Sequence, residues 1–286
     1  MKKLSLILIV LAAVMWGCIG IFTRILSVAG LTPIQVVAIR SILSAIILGI
    51  FIFFKDKSLF KIEIKYLWLF VGTGVLSLTF FNICYFNAIN MLDLSAASIL
   101  LYTAPCFVMI MSAFVFKERI TVSKITAFII AFIGCVFISG LTDEFNIKGI
   151  TFGVFAGFGY ALYSIFAGVA LKKYNTYTIS FYTFLTSSIS LLPICKIGEV
   201  LVSLSDVGVL YWSGLLAVIS TVLPYIFYTE GLKKISATQA SIIAFAEPVT
   251  ATIVGMLMFG ENITLPILIG MILVLTSIIK ISSIDQ

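Results

Sequence analysis

Histidine is absent from this sequence, and charged side chains are scarce, at 10% of its 286 residues. A soluble domain carries about 25% charged residues, so the deficit excludes an ordinary water-facing surface. Without histidine the commonest metal ligand and the usual proton shuttle near neutral pH are missing. No HExxH run, no paired intramembrane aspartates and no GxxxxGK[ST] loop occur. That argues against an intramembrane hydrolase and against ATP as a direct energy source. The five cysteines, Cys18, Cys84, Cys106, Cys135 and Cys195, are scattered through apolar stretches without CxxC spacing. They read as small hydrophobes, not as a disulfide frame or a metal site. No cofactor and no metal is expected.

What fills the chain instead is apolar: 62% hydrophobic residues, with a mean hydropathy of +1.23. A helix crossing the hydrocarbon core needs about 20 such residues. Ten stretches qualify: Leu4 to Leu26, Ile34 to Phe54, Tyr66 to Asn90, Leu94 to Phe116, Ile125 to Leu141, Gly149 to Leu171, Thr178 to Cys195, Gly208 to Thr229, Ala237 to Phe259 and Ile263 to Ile279. The connections are too short for a soluble domain. The first stretch follows Lys2 and Lys3 as a signal peptide would, but its apolar part is longer than a typical h-region, so it reads as a retained helix. The expected fold is an all-α membrane protein of ten transmembrane helices, with the lipid bilayer as its solvent. The net charge of +6 is no nucleic-acid footprint, because the basic residues sit in short inter-helix loops. With the N-terminus in the cytoplasm, nearly all of them fall on the inside, and the outer loops hold only Lys148 and Lys196. Ten spans return the C-terminus to the cytoplasm, and the setting is the cell membrane.

One stretch occurs twice. Tyr85 to Thr121 and Tyr228 to Thr264 superpose without a gap at a constant offset of 143. Tyr85/Tyr228, Ser98/Ser241, Pro105/Pro248, Glu118/Glu261 and Thr121/Thr264 are identical, and a shared taste for Ile and Phe would not match those polar residues and the proline. Ala12, Ile21 and Phe22 match Ala156, Ile165 and Phe166 at an offset of 144. The chain therefore divides into residues 1–142 and 143–286, each a five-helix repeat. Five is odd, so the second repeat enters the membrane from the opposite side. Lys117 and Arg119 face Gly260 and Asn262 in the alignment, and the positive charge disappears where the topology inverts. Inverted repeats of this kind build carriers with a substrate site near the midplane.

The residues that could carry such a site are few. Pro105 and Pro248 lie at matching depth near mid-bilayer, where a proline kinks the helix and frees carbonyls. They are either packing kinks or hinges beside a cavity. Glu247 stands where the first repeat has Ala104. A carboxylate at that depth costs roughly 2.5–3.5 kcal/mol, so it faces a cavity or a partner. It is a proton-coupling group, an anchor for a substrate cation or a structural carboxyl. Arg40, two turns into the second stretch, suits gating or a substrate carboxylate. Arg24, nearer its helix end, suits snorkelling to the interface. Polar and aromatic residues at helical spacing give a candidate cavity wall of Asn82, Tyr85, Tyr102, Tyr225 and Tyr228, with Glu247. Serines and threonines of the seventh stretch (Ser180, Thr183, Ser187, Ser190) form a stripe that is interhelical glue or cavity lining. Gly149, Gly153 and Gly157 give the sixth stretch a face for close packing. Glu118 and Glu261 mark helix ends. Trp16 and Trp68 show no clear stripe and receive no role.

The segments AAVMWGCIGIFTRIL and TPIQVVAIRSILSAIIL, with the proline-centred repeats ending in KERIT and GENIT, resemble the drug/metabolite transporter superfamily of the ten-helix EamA type. The resemblance covers nearly the whole chain. It implies a secondary carrier with a cavity between the halves, lined largely by the third, fourth, eighth and ninth helices. It also implies an exporter of amino acids or other small metabolites, and no enzyme. Arg40 matches an arginine common in the second helix of that family. The expected partners are a small-molecule substrate and protons as the coupling ion; the other functional reading is a channel-like facilitator.

Overall fold

A computed structural model describes residues 2–140 and 146–283. Leu141 and the expected repeat boundary at 142/143 lie outside the described residues. Within them every regular element is helical. The long helices are α1 (Lys2–Val28), α2 (Pro33–Lys55), α3 (Ile64–Ile89), α4 (Leu94–Val115), α5 (Val122–Ser139), α6 (Ile147–Ala170), α8 (Val207–Gly231), α9 (Ala237–Phe259) and α10 (Leu265–Ser282). These nine are long and apolar enough to cross a membrane, and the protein is a multi-pass membrane protein. Between α6 and α8 lies α7 (Thr176–Leu191), of 16 residues. At 1.5 Å per residue it is about 24 Å long, short of the hydrocarbon core of about 30 Å. The seventh stretch, expected to run to Cys195, stops early because Pro193 has no N–H to extend the helical hydrogen-bond ladder past Leu192, which still has helical backbone angles.

The helices start where the sequence supplies caps. Thr32 accepts from the Gln35 backbone N–H while the Gln35 side chain bonds back, a full capping box with Pro33 at the first helical position. α4 and α9 end alike. Lys117 and Gly260, one repeat apart, both have left-handed backbones (φ 56 and 68°). The next N–H reaches back six residues in each case, from Glu118 to the Ser112 carbonyl (3.2 Å) and from Glu261 to the Gly255 carbonyl (3.3 Å). That is one residue wider than the bond of a Schellman cap, and both repeats share it.

Helix pairing repeats itself. α1 packs on α8 and α9, α6 packs on α3 and α4, α2 lies along α7 and α5 along α10. Exchanging each helix with the one five places on leaves this pattern unchanged. Atoms at the α5–α10 crossing follow it: a Cβ on Gly134 would fall 2.7 Å from the Gly270 carbonyl oxygen, and the Ser277 hydroxyl donates to the Ala127 carbonyl at 2.5 Å. Shifted by 143, Gly134 becomes Ser277 and Ala127 becomes Gly270, so the second contact is the image of the first. The glycine stripe of α6 does pack closely. Added Cβ atoms on Gly149, Gly153 and Gly157 would meet Leu92, Leu100 and Thr103 of the α4 region at 2.5–2.6 Å. The α7 stripe bonds α3 and α2: Thr183 donates to Thr73 (2.6 Å), Thr79 bonds Ser187 (3.1 Å) and Ser190 (2.7 Å), and Ser187 also meets Ser41 at 3.4 Å.

Three local departures from α-helix also recur in pairs or near the centre. α4 is interrupted between Leu101 and Ala104, and α9 between Ile243 and Ala246, just before Pro105 and Pro248. α3 carries a π-helical segment at Gly72–Thr79 and α8 one at Val218–Val222; the latter falls on Val75–Thr79 after the 143-residue shift. α1 breaks once, at Cys18. On the basic end, Lys173 and Lys65 both pair with Glu63 and hold its carboxyl below the usual range.

Candidate functional site

Glu247 opens the second segment of α9, immediately after the break and before Pro248. The interruption turns the helix so that its carboxyl group enters a small cavity of about 30 Å³ inside the bundle, with Tyr102, Ala104, Pro105, Tyr160 and Ser241 among its walls. Ala104 and Glu247, repeat partners of unlike chemistry, thus line one cavity from opposite halves. Three pairs of repeat partners, Leu101/Ala244, Tyr102/Phe245 and Ala104/Glu247, line it together. A space of this size holds about one water.

The carboxyl is poorly satisfied. The Tyr160 hydroxyl donates to its Oε2 at 3.4 Å, a distance near the limit for a hydrogen bond. α1 passes directly behind: a Cβ on Gly17 would sit 2.6 Å from Thr250 Cβ and 2.8 Å from the Glu247 carbonyl oxygen. Arg40 is 7% exposed, and its Nε is sealed from solvent without a hydrogen-bond partner. Its guanidinium lies within the electrostatic reach of Tyr225 and Glu247, yet no ion pair joins them among the described residues. A buried guanidinium and a half-buried carboxyl group therefore lie near each other without an ion pair among the described residues, an arrangement that stability alone does not favour.

Of the expected wall residues, Tyr102 and Glu247 line the cavity. Asn82 is buried and donates to the Leu78 carbonyl at 2.7 Å within its own helix. Tyr85 bonds Ser98 (3.0 Å) and stands one ring away, since Phe81 touches both Tyr85 and Tyr160. Tyr225 and Tyr228 belong to an adjoining aromatic cluster, in which Tyr228 bonds Ser164 (2.8 Å) and Tyr163 bonds Thr229 (2.6 Å). Trp16 joins that cluster to the cavity, with ring centroids 5.4 Å from Tyr225, 5.3 Å from Tyr228 and 6.4 Å from Tyr160. The sequence analysis assigned Trp16 no role. The signal for Trp16 was its depth: interfacial tryptophans sit at helix ends, and this one is mid-helix.

A second, larger cavity of about 730 Å³ opens at the basic end, bordered by Phe116, Glu118, Arg119, Lys124, Gly168 and Lys234 among others. Glu118, expected to mark a helix end, is nearly buried there and accepts from Lys124 Nζ at 2.6 Å. Between this vestibule and the Glu247 cavity lies an apolar cluster of Ala104, Val108, Ala161, Ile165 and Ala237, with Phe116 and Leu232 packed on its vestibule side and Tyr160 on the other. No group of three or more metal-ligating side chains is found among the described residues.

The comparisons with known proteins agree with this architecture. The model of the EamA-like transporter family matches residues 3–140 and again 147–283. An uncharacterized transporter of Archaeoglobus fulgidus is 30% identical over 275 residues, covering 95% of this chain and 96% of that protein. A second from the same organism is 29% identical over 259 residues (83% and 93%). The uncharacterized inner membrane transporter YicL of Salmonella typhimurium is 25% identical over 286 residues (96% and 93%). One crystal structure superposes with a TM-score of 0.79 at 15% identity, covering 96% of this chain and 95% of the other, and so shares the fold. Matched over nearly its full length by two copies of one family model, the chain belongs to the EamA-like transporter family.

Proposed function

We propose that this transporter is a secondary active carrier that exports small metabolites, such as amino acids or amines, by alternating access. In this reading ten helices form two five-helix repeats, residues 1–142 and 143–286, inserted with opposite topology, and both termini lie in the cytoplasm. The halves rock about the Glu247 cavity, with Pro105 and Pro248 as hinges where α4 and α9 are already interrupted. The observation that carries the proposal is a carboxyl group in a cavity inside the bundle with a buried, unpaired arginine Nε near it. Glu247 offers a carboxylate to a cationic group or a proton, and Arg40 offers donors to an anionic group or acts as a gate. A molecule with an amino group, with or without a carboxylate, meets that demand. Trp16, Tyr102, Tyr160, Tyr225 and Tyr228 supply aromatic surface around it. Protons are the proposed coupling ion, with Glu247 as the group that carries them.

The test is transport in proteoliposomes with and without an imposed pH gradient. Glu247→Gln keeps shape and polarity but cannot release a proton. It is expected to abolish uphill, pH-driven accumulation while leaving exchange of substrate across the membrane. A variant with unchanged pH dependence overturns the coupling role.

A further inference from the structure

Aligning α1 with α6 at the offset of 144 already set by Ile21/Ile165 and Phe22/Phe166 places Arg24 opposite Gly168. The same repeat places Phe259 opposite Phe116 and Glu261 opposite Glu118. In the structure these residues meet in matching groups. The Arg24 guanidinium lies 4.2 Å above the Phe259 ring centroid and its Nη2 donates to Glu261 Oε1 at 2.5 Å. At the other end Gly168 lies against Phe116, close enough that an added Cβ would come within 2.8 Å of the ring. The vestibule is bordered by this second trio, Phe116, Glu118 and Gly168. One end of the repeat thus has an arginine side chain over its phenylalanine and clipped to its glutamate. The other has a hydrogen atom in that place and a cavity of about 730 Å³.

We infer that Arg24, Phe259 and Glu261 form a latch closing the outer mouth of the transport pathway, and that Gly168, standing where the repeat would put an arginine, keeps the corresponding inner mouth open as the vestibule. This rests on the inverted, alternating-access reading above. Glu118 cannot latch in the same way, because Lys124 from its own half already holds it, whereas Arg24 and Glu261 come from different halves and must part when the halves rock. The latch is built to be broken. Both its charges are about half exposed, at 54% and 49%, where an ion pair and a cation–π contact are each weak. Together they bias the two mouths by about fivefold to tenfold, a bias that substrate binding can reverse.

Two reporter cysteines test this, in a background with the five native cysteines replaced by alanine. Gly20→Cys lies one helical turn from Arg24 toward the centre, where a Cβ meets no other atom within 4 Å. Ser236→Cys lies on the vestibule wall. The probe is a membrane-impermeant methanethiosulfonate applied separately to each face of the membrane. Arg24→Ala or Glu261→Gln should speed outside labelling at position 20 by fivefold to tenfold, and the charge swap Arg24→Glu with Glu261→Arg should restore protection. Gly168→Arg should slow inside labelling at position 236. Labelling at 20 that ignores both single variants, or a swap that fails to protect while position 236 still labels at its normal rate, overturns the latch. Labelling of both reporters from one face overturns instead the inverted reading on which it rests.

Discussion

Gly17 shows how one side chain can decide the central site. α1 touches α9 so closely there that a methyl group would lie 2.6 Å from Thr250 Cβ and 2.8 Å from the carbonyl oxygen of Glu247. Gly17→Ala should therefore destabilise the protein by about 1–3 kcal/mol, the usual cost of overpacking, and should lower transport by shifting Glu247. The same substitution at Gly214, whose Cβ meets nothing within 4 Å, should stabilise α8 by roughly 0.5–1 kcal/mol, because alanine orders at lower entropic cost than glycine in a helix. Thermal unfolding of the two purified variants checks the opposite signs. At this scale Glu247 was legible in the sequence, since a carboxylate inside an apolar run has few explanations. Trp16 was not, because an indole in an apolar helix looks the same whether it meets lipid or a ring of tyrosines.

Among whole elements, the ends of α4 and α9 are the clearest product of duplication. Both close with a left-handed residue and a bond from the following N–H to a carbonyl six residues back. Only the second uses glycine. Lys117 holds φ at 56°, which costs an L-residue about 1–2 kcal/mol. Lys117→Gly should recover about 1 kcal/mol, less the extra entropy glycine gives the unfolded chain; Gly260→Ala should lose a similar amount. Thermal shift measurements on the pair settle the point. The paired prolines were readable as kinks, and α4 and α9 are interrupted beside both. The π-helical segments of α3 and α8 were not readable, because a one-residue surplus in a helix leaves the hydrophobic pattern of a membrane span almost unchanged. The short α7 was over-read, because apolar residues continue past the point where Pro193 ends the helix.

For the molecule as a whole, the decisive property is the exchange symmetry of its packing, which the proposed topology converts into two faces of one membrane. Arg119 and Asn262 are repeat partners and both are exposed. In a cysteine-free background, Arg119→Cys should react with an impermeant thiol reagent from the cytoplasmic side alone, and Asn262→Cys from the outer side alone. Reaction from the same side sinks the inverted arrangement, whatever the substrate proves to be.

The amino-acid sequence by itself determined the solvent, the helical class and the duplication. Runs of about 20 apolar residues admit no other backbone solution in lipid, and a gapless offset of 143 survives in polar residues that hydrophobic drift does not match. It also singled out Glu247, because charge in that setting is costly wherever the helix packs. Only the tertiary structure decided what stands near what. It put Ala104 and Glu247 on one cavity, set Arg40 within electrostatic reach of Glu247 without pairing them, gathered Trp16 with Tyr225 and Tyr228, and placed Arg24 rather than a lipid headgroup against Glu261. The reason is physical: a membrane helix is apolar all round, so its sequence does not mark which face meets protein and which meets lipid. That choice is made by close packing between helices, at contacts as local as Gly17 on Thr250 and Gly134 on Gly270.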